Sequence, residues 1–229
     1  MSAAHHVGTF VPKDSEVSAN FKQIKFSIQA GKFDVALRLF DEGAIHAEME
    51  KIETRLPAGL EDGLRAALKA KDVQGAEVRL MIFMVFVARD LAREAARRLA
   101  DDTTAPSIRL PQAAKLLEAV WRYHNLVDFV LYQRDVKAAL AMRLAFDDAE
   151  SAVGGGGSDP MKVGGTPAPG SSGVTRTDLK PPGGAPKSAA NLVRAKDALR
   201  RMTEILTRVI EQPVPSAPAL PAGVGVARP

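Results

Sequence analysis

Cysteine is absent from all 229 residues of the chain. This excludes a disulfide framework, a zinc site with thiolate ligands, an iron–sulfur cluster, covalently attached c-type haem and a cysteine nucleophile. Catalytic signatures are missing as well, because the chain contains no Gly-x-Ser-x-Gly, no glycine-rich phosphate loop that opens a helix and no His-Glu-x-x-His. An enzyme is therefore the least favoured class of function.

Long apolar runs are also lacking, and no stretch approaches the roughly 20 apolar residues that cross a bilayer. The densest run, residues 80–88, is bounded by Arg79 and Arg89 and predicts a buried helix segment. The N-terminus shows no charged region followed by an apolar one, so no secretory signal is predicted. As written, the chain is expected in the cytoplasm. If Met1 precedes the mature form of an exported protein, it is expected in the periplasm.

Glycine and proline are scarce outside two segments. Residues 151–187 hold ten of the 18 Gly and six of the 15 Pro, and residues 213–229 hold two Gly and five Pro. Such segments have too few large apolar side chains to offset the entropy of ordering them. The sequence therefore predicts a disordered N-terminus over 1–13, a helical-bundle domain over 14–150, a flexible linker over 151–187, a basic amphipathic helix over 188–212 and a disordered Pro-rich tail over 213–229.

Charge follows the same division. Residues 1–150 contain 21 basic and 22 acidic side chains, whereas residues 151–229 contain 10 basic and 5 acidic ones. A nucleic-acid-binding domain carries its basic excess on the folded face that meets the phosphates. Since the basic excess lies in the C-terminal part, no nucleic-acid partner is expected.

Strand signals are nearly missing, and Ala, Leu, Arg, Glu and Lys dominate outside the two Gly/Pro-rich segments, which favours helix. Apolar spacing and capping residues predict helices over 14–30, from Asp34 to Leu56, from Pro57 past Leu68, from Asp72 to Leu99, and from Pro111 onward with a break near 133–135. The predicted fold is all-α. It is an antiparallel bundle of four to five helices, followed by a flexible linker and a C-terminal amphipathic helix.

The C-terminal helix needs an apolar surface to pack on. Its apolar residues follow a/d spacing, with Leu192, Leu199 and Leu206 alternating with Ala195, Met202 and Val209. The flexible linker holds this helix at a high effective concentration near its own core. We expect it to dock there or on a partner protein, with an anionic membrane surface as a weaker alternative.

His124 interrupts a predicted buried stripe of the last core helix, formed by Leu117, Val120, Val127 and Leu131. Asp128 lies one turn further along, at the edge of the stripe. Burying an imidazole is costly unless the ring is hydrogen-bonded, paired or ligated. His124 is therefore expected either to hydrogen-bond Asp128 or a backbone carbonyl, or to bind a ligand.

His46 is expected on the inward side of the second predicted helix, because it shares a helical face with Glu42, Met49 and Glu53. The plain interpretation is that Glu42 and Glu53 pair with Arg or Lys of neighbouring helices. The functional interpretation combines these residues with His124 and Asp128 as ligands of iron, copper or zinc, or uses the two histidines to bind a b-type haem. Carboxylate-bridged di-iron bundles use Glu-x-x-His, and neither histidine has a Glu three residues before it.

Two functions follow from these patterns. The first is a non-enzymatic helical-bundle interaction or adaptor protein with a tethered amphipathic helix, favoured by the missing catalytic signature. The second is a metal- or haem-binding helical bundle for storage, sensing or delivery, with His46, His124, Glu42, Glu53 and Asp128 as its candidate ligands.

Overall fold

The described part of the chain consists of eight α-helices and one short 3₁₀ helix. The computed structural model describes residues 15–153 and 185–212. The disorder predicted for 1–13 and 213–229, and most of the predicted linker over 151–187, lie outside these residues. The helices are α1 (Glu16–Gln29), α2 (Phe33–Asp41), α3 (Ala44–Lys51), the 3₁₀ helix (Glu53–Arg55), α4 (Leu60–Lys69), α5 (Val73–Ala100), α6 (Pro106–Arg134), α7 (Val136–Val153) and α8 (Ala185–Glu211). The all-α prediction is confirmed.

The helices α5 to α8 form a four-helix bundle. α5 packs on α6, α6 on α7 and α7 on α8, and α8 returns to α5, so each helix has two neighbours in a closed ring. Asp128 pairs with Arg143, and Trp121 stacks on Phe146. Residues earlier in α6 therefore contact residues later in α7, so the two helices are antiparallel. None of the described helices is long and apolar enough to cross a membrane.

The shorter helices α1 to α4 pack together against α5. α1 contacts α2, α3 and α5, while α4 contacts α2 and α5. Gln29 at the end of α1 donates a hydrogen bond to Glu77 of α5 (3.3 Å), and the hydroxyls of Ser15 and Tyr123 lie 3.2 Å apart. The first half of α5 is thus covered by this group on one side and by bundle helices on the others.

The middle of α5 is buried all round, as its apolar sequence predicts. Each side chain from Leu80 to Phe86 is at most 2% exposed. A helix with no polar face needs neighbours on every side, and α5 has α1, α4, α6 and α8 around it. This segment is the centre of the hydrophobic core.

The prediction of one continuous helix from Asp34 to Leu56 is wrong. The chain breaks at Gly43 and again near Ile52. Gly43 is extended (φ −101°, ψ 174°), and the side chain of Asn20 bridges the break. Its Nδ2 donates to the Leu39 carbonyl (2.9 Å), and its Oδ1 accepts from the Ile45 N–H (3.0 Å). The amide of Asn20 thus replaces hydrogen bonds that a continuous helix would have supplied.

α6 begins earlier than predicted, at Pro106 instead of Pro111. Pro106 suits the first turn, because an N–H there has no intrahelical partner in any case. Pro111 lies inside the helix and removes one of its hydrogen bonds. Its ring faces solvent, and packing on α5 and α7 holds the rest of α6 in place.

The predicted break near residues 133–135 is confirmed at Asp135, which leaves helical geometry (φ −150°, ψ 86°). Its carboxylate accepts a hydrogen bond from the Ala138 N–H (2.9 Å) at the start of α7, as an N-terminal cap does. One residue is thus enough to reverse the chain between α6 and α7.

α8 packs on α5 and α7 of its own core. Arg201 pairs with Asp148 (2.7 Å), and Gln212 donates to Asp135 (3.1 Å), so α8 is antiparallel to α7. Its buried side chains are Ala195, Ala198, Leu199, Met202, Ile205, Leu206 and Val209. The apolar face of the C-terminal helix therefore completes the bundle.

Candidate functional site

His124 is the buried histidine of the bundle, with only 1% of its surface exposed. Its ring stacks on Trp121, with centroids 5.5 Å apart and planes 14° apart. Neither ring nitrogen has a hydrogen-bond partner within the described residues. Burial lowers the pKa of His124, an effect that the nearby Asp128 carboxylate opposes. The ring is therefore held neutral in an apolar surrounding that does not satisfy its polar atoms.

Asp128 is engaged by Arg143 of α7 instead of by His124. The Arg143 guanidinium donates from Nη2 to Oδ2 and from Nε to Oδ1 (3.3 Å). The distance from His124 Nε2 to Asp128 Oδ1 is 3.7 Å, which is too long for a hydrogen bond. The expected hydrogen bond from His124 to Asp128, or to a backbone carbonyl, is thus wrong. The ion pair lies beside the ring without hydrogen-bonding to it.

His46 has a partner on each side of its ring. Nδ1 lies 3.1 Å from the Asp41 carbonyl oxygen, and Nε2 lies 3.1 Å from Glu61 Oε1 and 3.3 Å from Arg65 Nη2. A carbonyl only accepts, so Nδ1 must carry the proton. Nε2 then accepts from Arg65 in the neutral ring, or donates to Glu61 in the imidazolium. This histidine is a satisfied member of a polar network between α3 and α4.

Glu42 and Glu53 do not lie on the inward side with His46, and both are exposed. Glu42 follows the last residue of α2, and Glu53 begins the 3₁₀ helix. The breaks at Gly43 and Ile52 rotate these two residues away from the face that a continuous helix would give them. Their expected inward placement is therefore wrong.

The five predicted ligands do not converge within the described residues. His124 and Asp128 lie together on α6, whereas His46 belongs to the network with Glu61 and Arg65. Across residues 15–153 and 185–212, no group of three or more His, Asp or Glu side chains is placed to hold a metal ion. His124 offers two free ring nitrogens, but its nearest carboxylate is already bound by Arg143. These residues do not fit a three-ligand metal site.

An apolar face lies on the outer side of α6 and α7, a feature that the sequence did not predict as a surface. It consists of Phe129, Tyr132, Val136, Leu140 and Leu144, which are between 43% and 67% exposed. Val136, Leu140 and Leu144 follow each other at four-residue spacing and so share one side of α7. Their spacing is legible in the sequence, but only the packing of α7 shows that this side faces away from the core.

An arginine groove of about 650 Å³ lies between α5 and α8. It is lined by Arg55, Arg89, Asp90, Arg93, Ala96, Arg97, Arg200, Thr203 and Glu204. Since α5 and α8 are adjacent in the ring, the groove is on the opposite side of the bundle from the apolar face. The four-residue spacing of three of these arginines on α5 is visible in the sequence. The contribution of α8 depends on where that helix docks.

Known proteins provide no guide to the role of either surface. Comparison with protein-family models, with curated proteins and with solved structures finds no match to this chain.

Proposed function

We propose that this protein is a non-enzymatic interaction protein that binds a helix of a partner protein along its apolar face. The observation that supports the proposal is the clustering of exposed apolar side chains. Nine large apolar residues in the described chain are exposed, and five of them lie between residues 129 and 144, at the end of α6 and along α7. Contiguous exposed apolar patches on soluble proteins mark interaction sites more often than single exposed residues do.

The shape of the apolar face suits a helix. Val136, Leu140 and Leu144 form a row about 12 Å long on α7, at 1.5 Å per residue. Phe129 and Tyr132 lie on α6, near the end that leads into α7. A row of exposed apolar residues on one side of a helix can pack against the i, i+3, i+4 and i+7 side chains of an amphipathic partner helix.

The tethered helix α8 is not the partner-binding element in this proposal. Its apolar residues are already buried against α5 and α7, so recruitment through them would require α8 to leave the core. Fully burying one Leu side chain contributes about 1.5–3 kcal/mol. The exposed residues of the apolar face can supply such a gain to a partner without loss of any contact within the protein.

The test is site-specific photo-cross-linking from position 140 in an extract of the cells that produce the protein. A matched control carries the cross-linker at position 193, since Val193 is exposed to a similar degree but lies on α8. We expect a partner protein to be captured from position 140 and not from position 193. The purified partner should then bind the native chain, and Leu140→Glu with Leu144→Glu should weaken binding by about tenfold or more.

Two results would overturn the proposal. The purified partner binds the double variant as tightly as the native chain, or position 140 cross-links only to other copies of the same chain. The second result would make the face a contact between identical subunits instead of a partner site.

The metal- or haem-binding alternative is supported by one observation, the buried His124 ring whose nitrogens lack partners. Elemental analysis and an absorption scan of protein purified without a His tag would test it. One equivalent of iron, copper or zinc, or a Soret band, that disappears in His124→Leu would favour the alternative. A band or metal retained by the variant would count against it.

A further inference from the structure

We propose that the arginine groove binds an extended acidic segment of a protein, held by carboxylate–guanidinium pairs. This site is separate from the apolar face and does not depend on the function proposed for it. Five of the residues that line the groove are arginines, and two, Asp90 and Glu204, are acidic. The lining therefore has an excess of positive charge and of hydrogen-bond donors that suit carboxylates, and the adjacent Glu94 and Asp197, which pair with Arg97 and Arg200, offset part of that excess.

Asp90 shows how the groove holds a carboxylate. Its Oδ2 accepts from Arg55 Nη1 at 2.5 Å, and its Oδ1 accepts from Arg89 Nη2 at 3.1 Å and lies 4.0 Å from Arg93 Nη1. One carboxylate is thus shared among three arginines, each of which has five N–H donors. Arg97 and Arg200 already pair with carboxylates of their own helices, Arg97 with Glu94 and Arg200 with Asp197 and Glu204. A carboxylate of a ligand would therefore share donors with these groups, as Asp90 is shared among three arginines.

Arg89 is held in place before any ligand arrives. Its side chain is only 11% exposed, and its guanidinium lies over the Phe86 ring, 4.3 Å from the ring centroid. Burial lowers the pKa of Arg89, and its Nε has no hydrogen-bond partner among the described residues. A largely buried cation favours an anionic ligand beside it, because the added charge pair offsets part of the cost of its desolvation.

The spacing of the arginines favours an extended peptide. Arg89, Arg93 and Arg97 follow each other every four residues on α5, which is about 6 Å per step. Alternate side chains of an extended chain are about 6.6 Å apart and point to one side. Carboxylates at every second residue of a ligand would therefore meet successive arginines along the helix.

A nucleic-acid strand fits the groove less well. Proteins that bind single strands combine positive charge with aromatic side chains on which the bases stack. None of the residues that line the groove is aromatic, and the nearby Phe86 ring is buried beneath Arg89. The groove offers charge without a stacking surface.

The groove exists only when α8 is docked, because α8 supplies Arg200, Thr203 and Glu204. A ligand that contacts both α5 and α8 binds the docked form and stabilises it by mass action. We therefore expect the acidic segment to raise the melting temperature of the protein as well as to bind it.

The experiment uses the full chain and a fluorescein-labelled peptide of eight glutamates, whose binding is followed by fluorescence anisotropy. The groove variant is Arg93→Glu with Arg97→Glu. The control is Arg38→Glu with Lys69→Glu, which makes the same change in net charge at exposed positions on α2 and α4. We expect the groove variant to weaken binding by about tenfold or more and the control by less than about twofold.

A second variant separates loss of binding from loss of folding. Arg93→Lys with Arg97→Lys keeps the charge and removes the bidentate fork, so an intermediate loss of affinity at an unchanged melting temperature supports the proposal. Equal losses in the groove and control variants would overturn it. Tighter binding of a labelled oligothymidine than of the peptide at the same salt concentration would also overturn it, and would assign the groove to phosphates.

Discussion

The two histidines placed on helices by the sequence occupy opposite kinds of environment. His124 is buried in the bundle, stacks on Trp121 and has no hydrogen-bond partner on either nitrogen among the described residues. His46 is partly exposed, and a carbonyl, a carboxylate and a guanidinium lie around its ring. His46, the more exposed of the two, therefore has more polar neighbours than the buried His124.

The difference comes from the continuity of the helices that carry them. α6 runs unbroken through residue 124, so its apolar stripe carries the ring into the core. The chain around His46 breaks at Gly43 and at Ile52, and the side chains of Glu61 and Arg65 of α4 lie close to the ring. A broken helix thus collects polar neighbours that a continuous helix excludes.

The same substitution at the two positions tests this comparison most severely. His124→Asp buries a carboxylate beside Asp128 and should cost about 3–5 kcal/mol in the free energy of unfolding. His46→Asp lies at a partly exposed site where Arg65 can pair with the new carboxylate, so its cost should be about 1 kcal/mol. Urea denaturation followed by circular dichroism measures both. Equal losses would mean that the two sites do not differ in burial as described.

A substitution of Gly43 tests the role of the break beside His46. A Cβ at Gly43 would lie 2.1 Å from the Leu39 carbonyl oxygen and 2.5 Å from the Asn20 side chain, so Gly43→Ala should destabilise the protein by about 2 kcal/mol. In Gly63→Ala the atoms nearest the Cβ all belong to the side chain of Arg79, which can shift more easily than backbone. Its higher helix propensity should keep the change within about 1 kcal/mol. Chemical denaturation measures the free energy of unfolding of both variants. A larger loss in Gly63→Ala than in Gly43→Ala would contradict the prediction.

The buried ring should also make stability depend on pH. Burial lowers the folded-state pKa of His124 below its ordinary value of about 6.5. At higher pH the ring is neutral in both states and contributes nothing. As the pH falls below the pKa of this histidine in the unfolded chain, the unfolded chain takes up a proton more readily than the folded ring does.

Stability should therefore fall through this residue as the pH is lowered from 7 to 5.5, by at most about 1 kcal/mol. His124→Leu should remove that part of the pH dependence while leaving the contribution of the carboxylates at lower pH. Denaturation curves at the two pH values measure the difference. An identical slope in the variant would contradict the assignment to His124.

Much of the fold could be predicted from local patterns. Asp72 caps α5 as its position predicts, accepting a hydrogen bond from the Gly75 N–H, and the break at Asp135 is where the charged residues interrupt the stripe. The break at Gly43 could not be predicted, because helix propensity gives a glycine only about 1 kcal/mol of disfavour. The side chain of Asn20, which hydrogen-bonds both sides of the break, lies on another helix, α1.

The candidate sites were predictable only in part, for the same reason. The stripe on α6 predicts that His124 is buried, but its lack of a hydrogen bond depends on Arg143, which lies on α7 and takes Asp128. The row from Arg89 to Arg97 is visible in the sequence, whereas Arg200 joins it only after α8 has docked. Contacts between helices distant in the chain decide which side chains meet.

The position of α8 in the ring has a consequence for how the protein is made. The pairing of α5 with α8 joins segments that are about 100 residues apart in the chain, and such long-range contacts slow folding because a large loop must close first. During synthesis α5 and α7 emerge before the residues that cover them. A newly made chain therefore exposes the sides of α5 and α7 that α8 covers until α8 has been made, and a chain that ends before residue 195 would leave them exposed.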